Sequence, residues 1–486
     1  MTRFVRLLRS FCLVMCILPL SIYAQVHLPE IFSDNMVLQQ DSKVRIWGTA
    51  TPQSTVSVTG SWNDETVSTK VNSNGKWMVE LQTIKASFTP YYIVISDDHG
   101  ISHRVSNVLL GDVWLCSGQS NMEMPVRGWL PDCPIDYADQ IAQSSTSFPG
   151  IRCVMIKEIK GAKPLDECKG TWQLSTPENV PDFSSVAYSF AMHLSQYINT
   201  PIGLIVSAWG GTNIEGWMPE SYLQKYKNIH YNYDVASNDG KAASVLYNGM
   251  IYPLRGYTLK GFIWYQGEAN VWDWDGTYYQ KQKDLIECWR KDWGQGELPF
   301  YMVEIAPFNY PLYNAPANCS PLIREEQLKA ALTIPHCGLV STNDLTKETE
   351  IAVNIHPANK LQIGYRLCRF ALANDYGRKS ECWGPIYQSM KLNGSKAVLS
   401  FSHVGKGFIP NSNIIGFEIA GNNRIFYSAK ARIVDTDKIE VYAEEVTDPV
   451  AVRYCFSDVQ LGNLKSMTSF PVYPFRTDNW IMNENK

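Results

Sequence analysis

The rhythm of apolar positions changes twice along this chain. Between residues 25 and 109, short runs rich in Val, Ile, Thr and Trp recur at 42–49, 55–59, 76–81 and 91–96. Asn74-Gly75 and Asp98-His99-Gly100 supply turn signals between or after them. Short strands at this spacing predict a small all-β unit of sandwich type. From about residue 110 the pattern becomes an alternation of strands and helices. Apolar runs at 108–116, 151–156, 202–209, 259–265, 300–305 and 338–341 predict strands. The run 202–209 (IGLIVSAW) is apolar on both faces, as a strand inside a parallel sheet must be. Stripes at helical spacing predict helices over 186–198 (Val186, Phe190, Leu194, Tyr197), 278–293 (Tyr278, Leu285, Trp289, Trp293), 322–332 and 357–373 (Leu361, Tyr365, Cys368, Leu372). Such alternation means a parallel sheet with helices on both faces. After about residue 380 the β pattern returns at 397–401, 414–419, 430–434, 438–442 and 450–455. The expected organisation is a leader over 1–24, an N-terminal β domain over 25–109, an α/β domain over 110–380 and a C-terminal β segment over 381–486. This last segment forms its own module or packs with the first.

The leader is read from its own pattern. Arg3, Arg6 and Arg9 precede an apolar stretch over 11–20, and Ser21-Ile22-Tyr23-Ala24 ends on a small residue. This is the form of a secretory signal peptide cut after Ala24, and it implies export to the periplasm or the extracellular space. The apolar stretch is too short to span a bilayer as a mature helix, and no other membrane-length run follows. Cys16 follows Met15, which is larger than the residue that precedes a lipidated cysteine, so a lipid anchor is disfavoured.

Composition narrows the picture further. Hydrophobic residues make up 45% of the 486 positions and charged residues 19%, an ordinary globular balance. A formal charge of −4 gives no broad electrostatic grip on nucleic acid. Of the 12 cysteines, Cys12 and Cys16 fall in the leader, and the rest scatter from Cys116 to Cys455 with no Cys-x-x-Cys pair. That excludes a zinc ribbon and a thioredoxin motif. A chain of this length builds a core without staples, so mostly buried free cysteines with a bridge or two are expected.

Ligands of open α/β sheets bind outside the carboxyl ends of the strands, so the residues following each predicted strand carry the candidate chemistry. They are Gly118-Gln119-Ser120-Asn121-Met122, Gly210-Gly211-Thr212-Asn213, Gln266-Gly267-Glu268-Ala269-Asn270 and Asn354-Ile355-His356-Pro357. Together they offer a hydroxyl, a flexible backbone, an amide and an imidazole, the parts of an acyl-transfer site. Ser120 lies between a strand and a helix N-terminus, whose dipole favours negative charge on an attacking oxygen. His356 precedes a proline expected at the first helical position, which holds it extended at a helix start and favours the neutral imidazole. A base of this kind predicts an acid limb of activity near neutrality. Gly211 offers a backbone N–H to a substrate oxygen or allows a tight turn. Gln266 gives its amide to an oxyanion or satisfies a buried backbone group. Glu268 suggests a glycosidase acid, but that chemistry needs a second carboxylate at a set separation and no strand end offers one. There is no His-Glu-x-x-His, no Walker A loop and no Gly-x-Ser-x-Gly elbow, and no metal or organic cofactor is implied.

At these positions the chain resembles the sialate O-acetylesterases and related carbohydrate acetylesterases of the SGNH hydrolase superfamily. The shared features are GQSNM at 118–122, SAWGGTNIEGW at 207–217, WYQGEAN at 264–270, Ile355-His356-Pro357 with Lys360, and the opening LPEIFSDNMVLQ at 28–39. The resemblance implies a flavodoxin-like parallel sheet in the α/β domain, flanked by N- and C-terminal β-sandwich-type segments. It implies Ser120 as nucleophile and His356 as base. It also implies an oxyanion hole from the Ser120 and Gly211 N–H groups and the Gln266 side chain. The superfamily's aspartate three residues before the histidine is absent: Val353 stands there, with Asn354 beside it. Asn354, Asp344, Glu348 and Glu350 are the candidates for a third member, or the site is a Ser-His dyad. The implied activity is removal of O-acetyl groups from sialic acids. Its rivals are the same chemistry on acetylated xylan or another plant glycan and a non-catalytic carbohydrate-binding protein.

Overall fold

The computed structural model describes residues 26–98, 100, 102–237 and 242–482; the leader expected over 1–24 lies outside the described residues. The strand Ser102–Gly118 joins the two predicted regimes. Its first half pairs antiparallel with Ser87–Asp97 and parallel with Val37–Gln39. Its second half enters the central sheet between Ile202–Ala208 and Gly261–Tyr265, parallel to both. Position 110, where the apolar rhythm changes, therefore lies inside a continuous strand.

Outside this trio run Ile151–Met155 on one side and Phe300–Val303 and Cys337–Val340 on the other, all parallel, with Gln173–Leu174 antiparallel at one edge. With Ile151–Met155 and Gln173–Leu174 set aside, the strand order is 2-1-3-4-5, that of doubly wound flavodoxin-like sheets. The order reverses at Ser102–Gly118, and the crevice at its carboxyl end is the place such sheets use for ligands. Every residue of Ile202–Ala208 and Gly261–Tyr265 is buried, because helices cover both faces. Ser185–Ser195 and Lys360–Asn374 pack on the face carrying Trp114 and Cys116. Tyr278–Trp293 and Ser320–Thr333 cover the face carrying Leu115, Phe262 and Trp264.

The C-terminal β segment forms its own module. Two four-stranded antiparallel sheets, Ile386–Asn393/Lys396–Ser402/Lys438–Tyr442/Lys430–Asp435 and Phe426–Ser428/Phe417–Ala420/Ala451–Tyr454/Phe475–Arg476, enclose a separate core that includes Leu399, Ile419, Ile439 and Val452. It grips the helix Ser320–Thr333, where Asp458 accepts from Ser320 Oγ at 2.6 Å and Arg476 pairs with Glu325 at 2.8 Å.

Three expectations need correction. The last helix starts at Lys360, capped by the Asn359 side chain, not at Pro357. Residues 354–358 instead form a loop in which Asn354 Oδ1 accepts from the His356 N–H at 2.9 Å. Asparagine side chains compete for backbone groups in this way and delay the helix. Tyr197 is 44% exposed rather than part of the buried stripe, since that helix ends at Ser195. The cysteines from Cys116 to Cys455 are all free, eight of them buried, with no bridge among the described residues. No helix of the described residues is long and apolar enough to cross a membrane.

Candidate active site

The loops at the reversal point are shaped by glycines. Gly118 has φ +141°, and a Cβ there would lie 2.0 Å from the Tyr265 carbonyl, so only glycine closes the strand against its neighbour. The next residue, Gln119, is extended and anchored by its N–H to Tyr265 O at 3.0 Å. Ser120 then opens the four-residue helix Ser120–Glu123. Beyond Ile202–Ala208, Gly211 takes φ +70°, which turns the loop 209–213 beneath the serine. The Gly210 N–H donates to Glu123 Oε2 at 2.6 Å and ties that loop to the helix. Burial, and then the nearby Glu158, push the Glu123 carboxyl up to about 7. The N–H groups of Ser120 and Gly211 have no acceptor among the described residues.

Ser120 Oγ and His356 Nε2 stand 3.0 Å apart. Both line a cavity of about 520 Å³ together with Gln119, Gly210, Gly211, Glu268, Ala269, Trp272 and Ile355. Burial, with the Lys360 charge second, lowers the imidazole to about 3. The imidazole is therefore neutral throughout the neutral range, and an acid limb due to it is expected well below neutrality. The edge of the Trp129 ring meets the imidazole, with centroids 5.3 Å apart.

None of the expected third members reaches the imidazole. Asp344 is drawn off by Arg366, which bonds it through two nitrogens at 2.8 Å, and by Lys465 at 2.6 Å. Burial raises its carboxyl, but these cations more than offset that and hold it below the ordinary carboxylate range. Glu350 pairs with Lys347 at 3.1 Å, while its carbonyl accepts from the Val353 and Asn354 N–H groups. Glu348 is exposed. The Asn354 side-chain oxygen accepts from the His356 backbone N–H and does not meet the ring, and the atom beside Nδ1 is Cys133 Sγ at 3.6 Å.

Of the two readings open for Gln266, the structure shows the second, an amide that satisfies a buried backbone group. It is fully buried and does not line the cavity. Its Nε2 donates to Asn270 Oδ1 at 2.7 Å and Thr212 O at 3.1 Å, and its Oε1 accepts from Tyr278 OH at 2.9 Å. An amide satisfied within the protein braces the loop rather than presenting a free donor to a substrate oxygen. Below the serine, a chain that the sequence did not expose runs from Lys360 through Asn121 to Glu268. Lys360 Nζ donates to Asn121 Oδ1, and Asn121 Nδ2 donates to Glu268 Oε1 at 2.5 Å and to Ile355 O at 3.3 Å. This joins the serine, histidine and glutamate loops. Burial lowers the Lys360 ammonium to about 7 and raises the Glu268 carboxyl. Among the described residues, Glu268 is the only carboxylate lining the cavity.

A family model for carbohydrate esterases described as sialic acid-specific acetylesterases matches residues 110–373. Human sialate O-acetylesterase is 32% identical over 403 residues, covering 76% of this chain and 75% of that protein. The mouse sialate O-acetylesterase is 31% identical over 431 residues, covering 76% and 78%. The crystal structure of a carbohydrate acetylesterase from Xanthomonas citri superposes with a TM-score of 0.83 at 31% identity, covering 94% of this chain and 100% of that one. These relatives make the chain a carboxylic ester hydrolase, and the hydroxyl and imidazole 3.0 Å apart at the reversal point of its parallel sheet are the candidate site. Within that class, the chain belongs to the sialate O-acetylesterase family of carbohydrate esterases.

Proposed function

We propose that this protein hydrolyses O-acetyl esters of sialic acids through an acetyl-serine intermediate. Ser120 Oγ attacks the acetyl carbonyl as His356 Nε2 takes its proton. The tetrahedral oxyanion lies against the Ser120 and Gly211 N–H groups, whose lack of an acceptor among the described residues supports this role. His356 returns the proton to the leaving sugar oxygen as the ester C–O bond breaks. Water, deprotonated by the same imidazole, then attacks the acetyl-serine and releases acetate. The observation that carries the reading is the 3.0 Å Ser120–His356 pair within the cavity. The basic, apolar and small-residue pattern of 1–24 supports action outside the cytoplasm.

Acetate release from O-acetylated sialic acids, set beside acetylated xylan, tests the substrate. Faster release from the sialic acids is expected. A preference for xylan transfers the same chemistry to plant glycans, and cleavage of glycosidic bonds would revive Glu268 as an acid.

A further inference from the structure

We infer that the Cys133 thiol is the positioning residue for His356, accepting from its Nδ1–H at the place where a carboxylate stands in a Ser-His-Asp triad. The inference rests on the Ser120–His356 reading and deepens it.

Three contacts carry it. Cys133 Sγ lies 3.6 Å from His356 Nδ1 and 3.5 Å from Asn354 Oδ1, while Asn354 Oδ1 accepts from the His356 backbone N–H at 2.9 Å. A thiol is one weak donor and one weak acceptor. The relay that uses both runs from Nδ1–H to sulfur and from S–H to Asn354, closing on the backbone of the same histidine. With the ring proton fixed on Nδ1, the Nε2 lone pair faces Ser120 Oγ.

The sulfur is held for this purpose by its own loop. Trp129 and Cys133 exchange backbone hydrogen bonds at 3.0 and 2.9 Å, which also brings the Trp129 ring against the imidazole. Gly128 takes φ +71°, and a Cβ there would lie 2.5 Å from Cys133 O, so the turn that delivers the thiol requires glycine. No candidate carboxylate competes for Nδ1, because Asp344 is held by Arg366 and Lys465 and Glu350 by Lys347.

Charge at the site fits a neutral partner. Burial, and then Asp132, raise the Cys133 thiol, which keeps it protonated at neutral pH. The charged and titratable groups facing the imidazole are Cys133, with Asp132 beside it, and Lys360, with Glu268 beyond it. A thiol lends an imidazolium far less stabilisation than a carboxylate, so the base keeps its low position.

The test compares the pH dependence of kcat/KM for the parent with that of Cys133→Ala, Cys133→Ser and Cys133→Asp. Alanine should lower kcat by about 10- to 100-fold with KM unchanged, since only the ring's tautomer and aim are lost. Serine should restore activity to within about fivefold of the parent, because it keeps one donor and one acceptor. Aspartate should move the acid limb upward by about one pH unit or more, because a carboxylate stabilises the imidazolium. Parental kcat in the alanine variant, or an unmoved limb in the aspartate variant, overturns the inference. Should the alanine variant fail to fold, the aspartate limb decides. Labelling with a serine-directed phosphonate separates the two levels. No label at Ser120 in the parent refutes the Ser-His reading itself, whereas labelling with unaltered Cys133 variants refutes the thiol's role alone.

Discussion

Ser120 and His356 meet across 3.0 Å, yet the walls that carry them are built differently. The serine wall is an extension of the sheet. Gln119 is pinned by its N–H to Tyr265, and its Oε1 accepts from the Gly267 and Ala269 N–H groups at 3.3 and 3.2 Å. Glu123 closes it against Gly210. Almost every bond in this wall involves the backbone, so its geometry follows the strand register. The histidine wall is an irregular loop. It leaves Val353 72% exposed, turns on the Asn354 side chain and meets the neighbouring loop through sulfur. Backbone pairing leaves the first wall little freedom. The second is set by a few side-chain contacts, and there the usual acid is missing.

Removing either reacting group should have the largest effect on activity. Ser120→Ala is expected to lower acetylesterase activity by about 10³-fold or more, with an unchanged thermal melt because the side chain packs no core. A variant retaining a tenth of the parental rate would break the assignment of the two walls.

The next effect separates the walls by pH. Only the neutral imidazole acts as a base, and burial with the Lys360 charge holds it at about 3. The parent's kcat/KM should therefore stay level from neutrality down to about pH 4, then fall as the ring protonates. Lys360→Met removes the neighbouring positive charge and should move this limb upward. A parental limb at the ordinary imidazole value would contradict the buried, neutral histidine. The same burial acts on folding. Because the folded histidine sits below its unfolded value, its contribution to stability is whole above about pH 6.5 and is lost as pH falls towards the folded value.

Gln266→Ala comes third, and it tests the bracing of the serine wall. Loss of its bonds to Asn270, Thr212 and Tyr278 should destabilise the fold by about 2–3 kcal/mol in denaturant titration, with kcat falling alongside. A fall in kcat at full stability would return Gln266 to the oxyanion hole.

The smallest effect on activity is expected far from both walls. Asp344→Asn should leave kcat within a few-fold and the acid limb in place, while destabilising the fold by about 3 kcal/mol through the unpaired Arg366. The folded carboxyl lies below its ordinary value, so this stabilisation is present at neutral pH and is lost in the parent as pH falls through the folded value. A shifted limb in this variant would make Asp344 the third member after all.

The comparison also explains what could be read from the chain. Apolar runs found the parallel strands, because burial on both faces leaves such a run few alternatives, although Ser102–Gly118 extends well beyond the 108–116 expected; period-3.6 stripes found the helices Tyr278–Trp293 and Ser320–Thr333 nearly to the residue. The placement of Ser120 between a strand and a helix was legible for the same reason. The helix start at Lys360 was not, because two asparagines outcompete Pro357 for the backbone. Cys133 carried no signal, lying in a loop without periodicity, 223 residues from the histidine it meets.

The sequence by itself determined the strand order's raw material, the loops that follow each strand and the residue types gathered there. These depend on local spacing and on which faces must be buried. Only the tertiary structure decided which atoms meet: that Gln266 braces Asn270, that Asp344 belongs to Arg366 and Lys465, and that a thiol stands beside the imidazole. A side chain's partner is chosen by whatever charge or hydrogen-bonding group the fold brings within about 3 Å. For Asp344 and Lys465, 121 residues apart, and Cys133 and His356, 223 apart, spacing in the sequence carries no record of that distance.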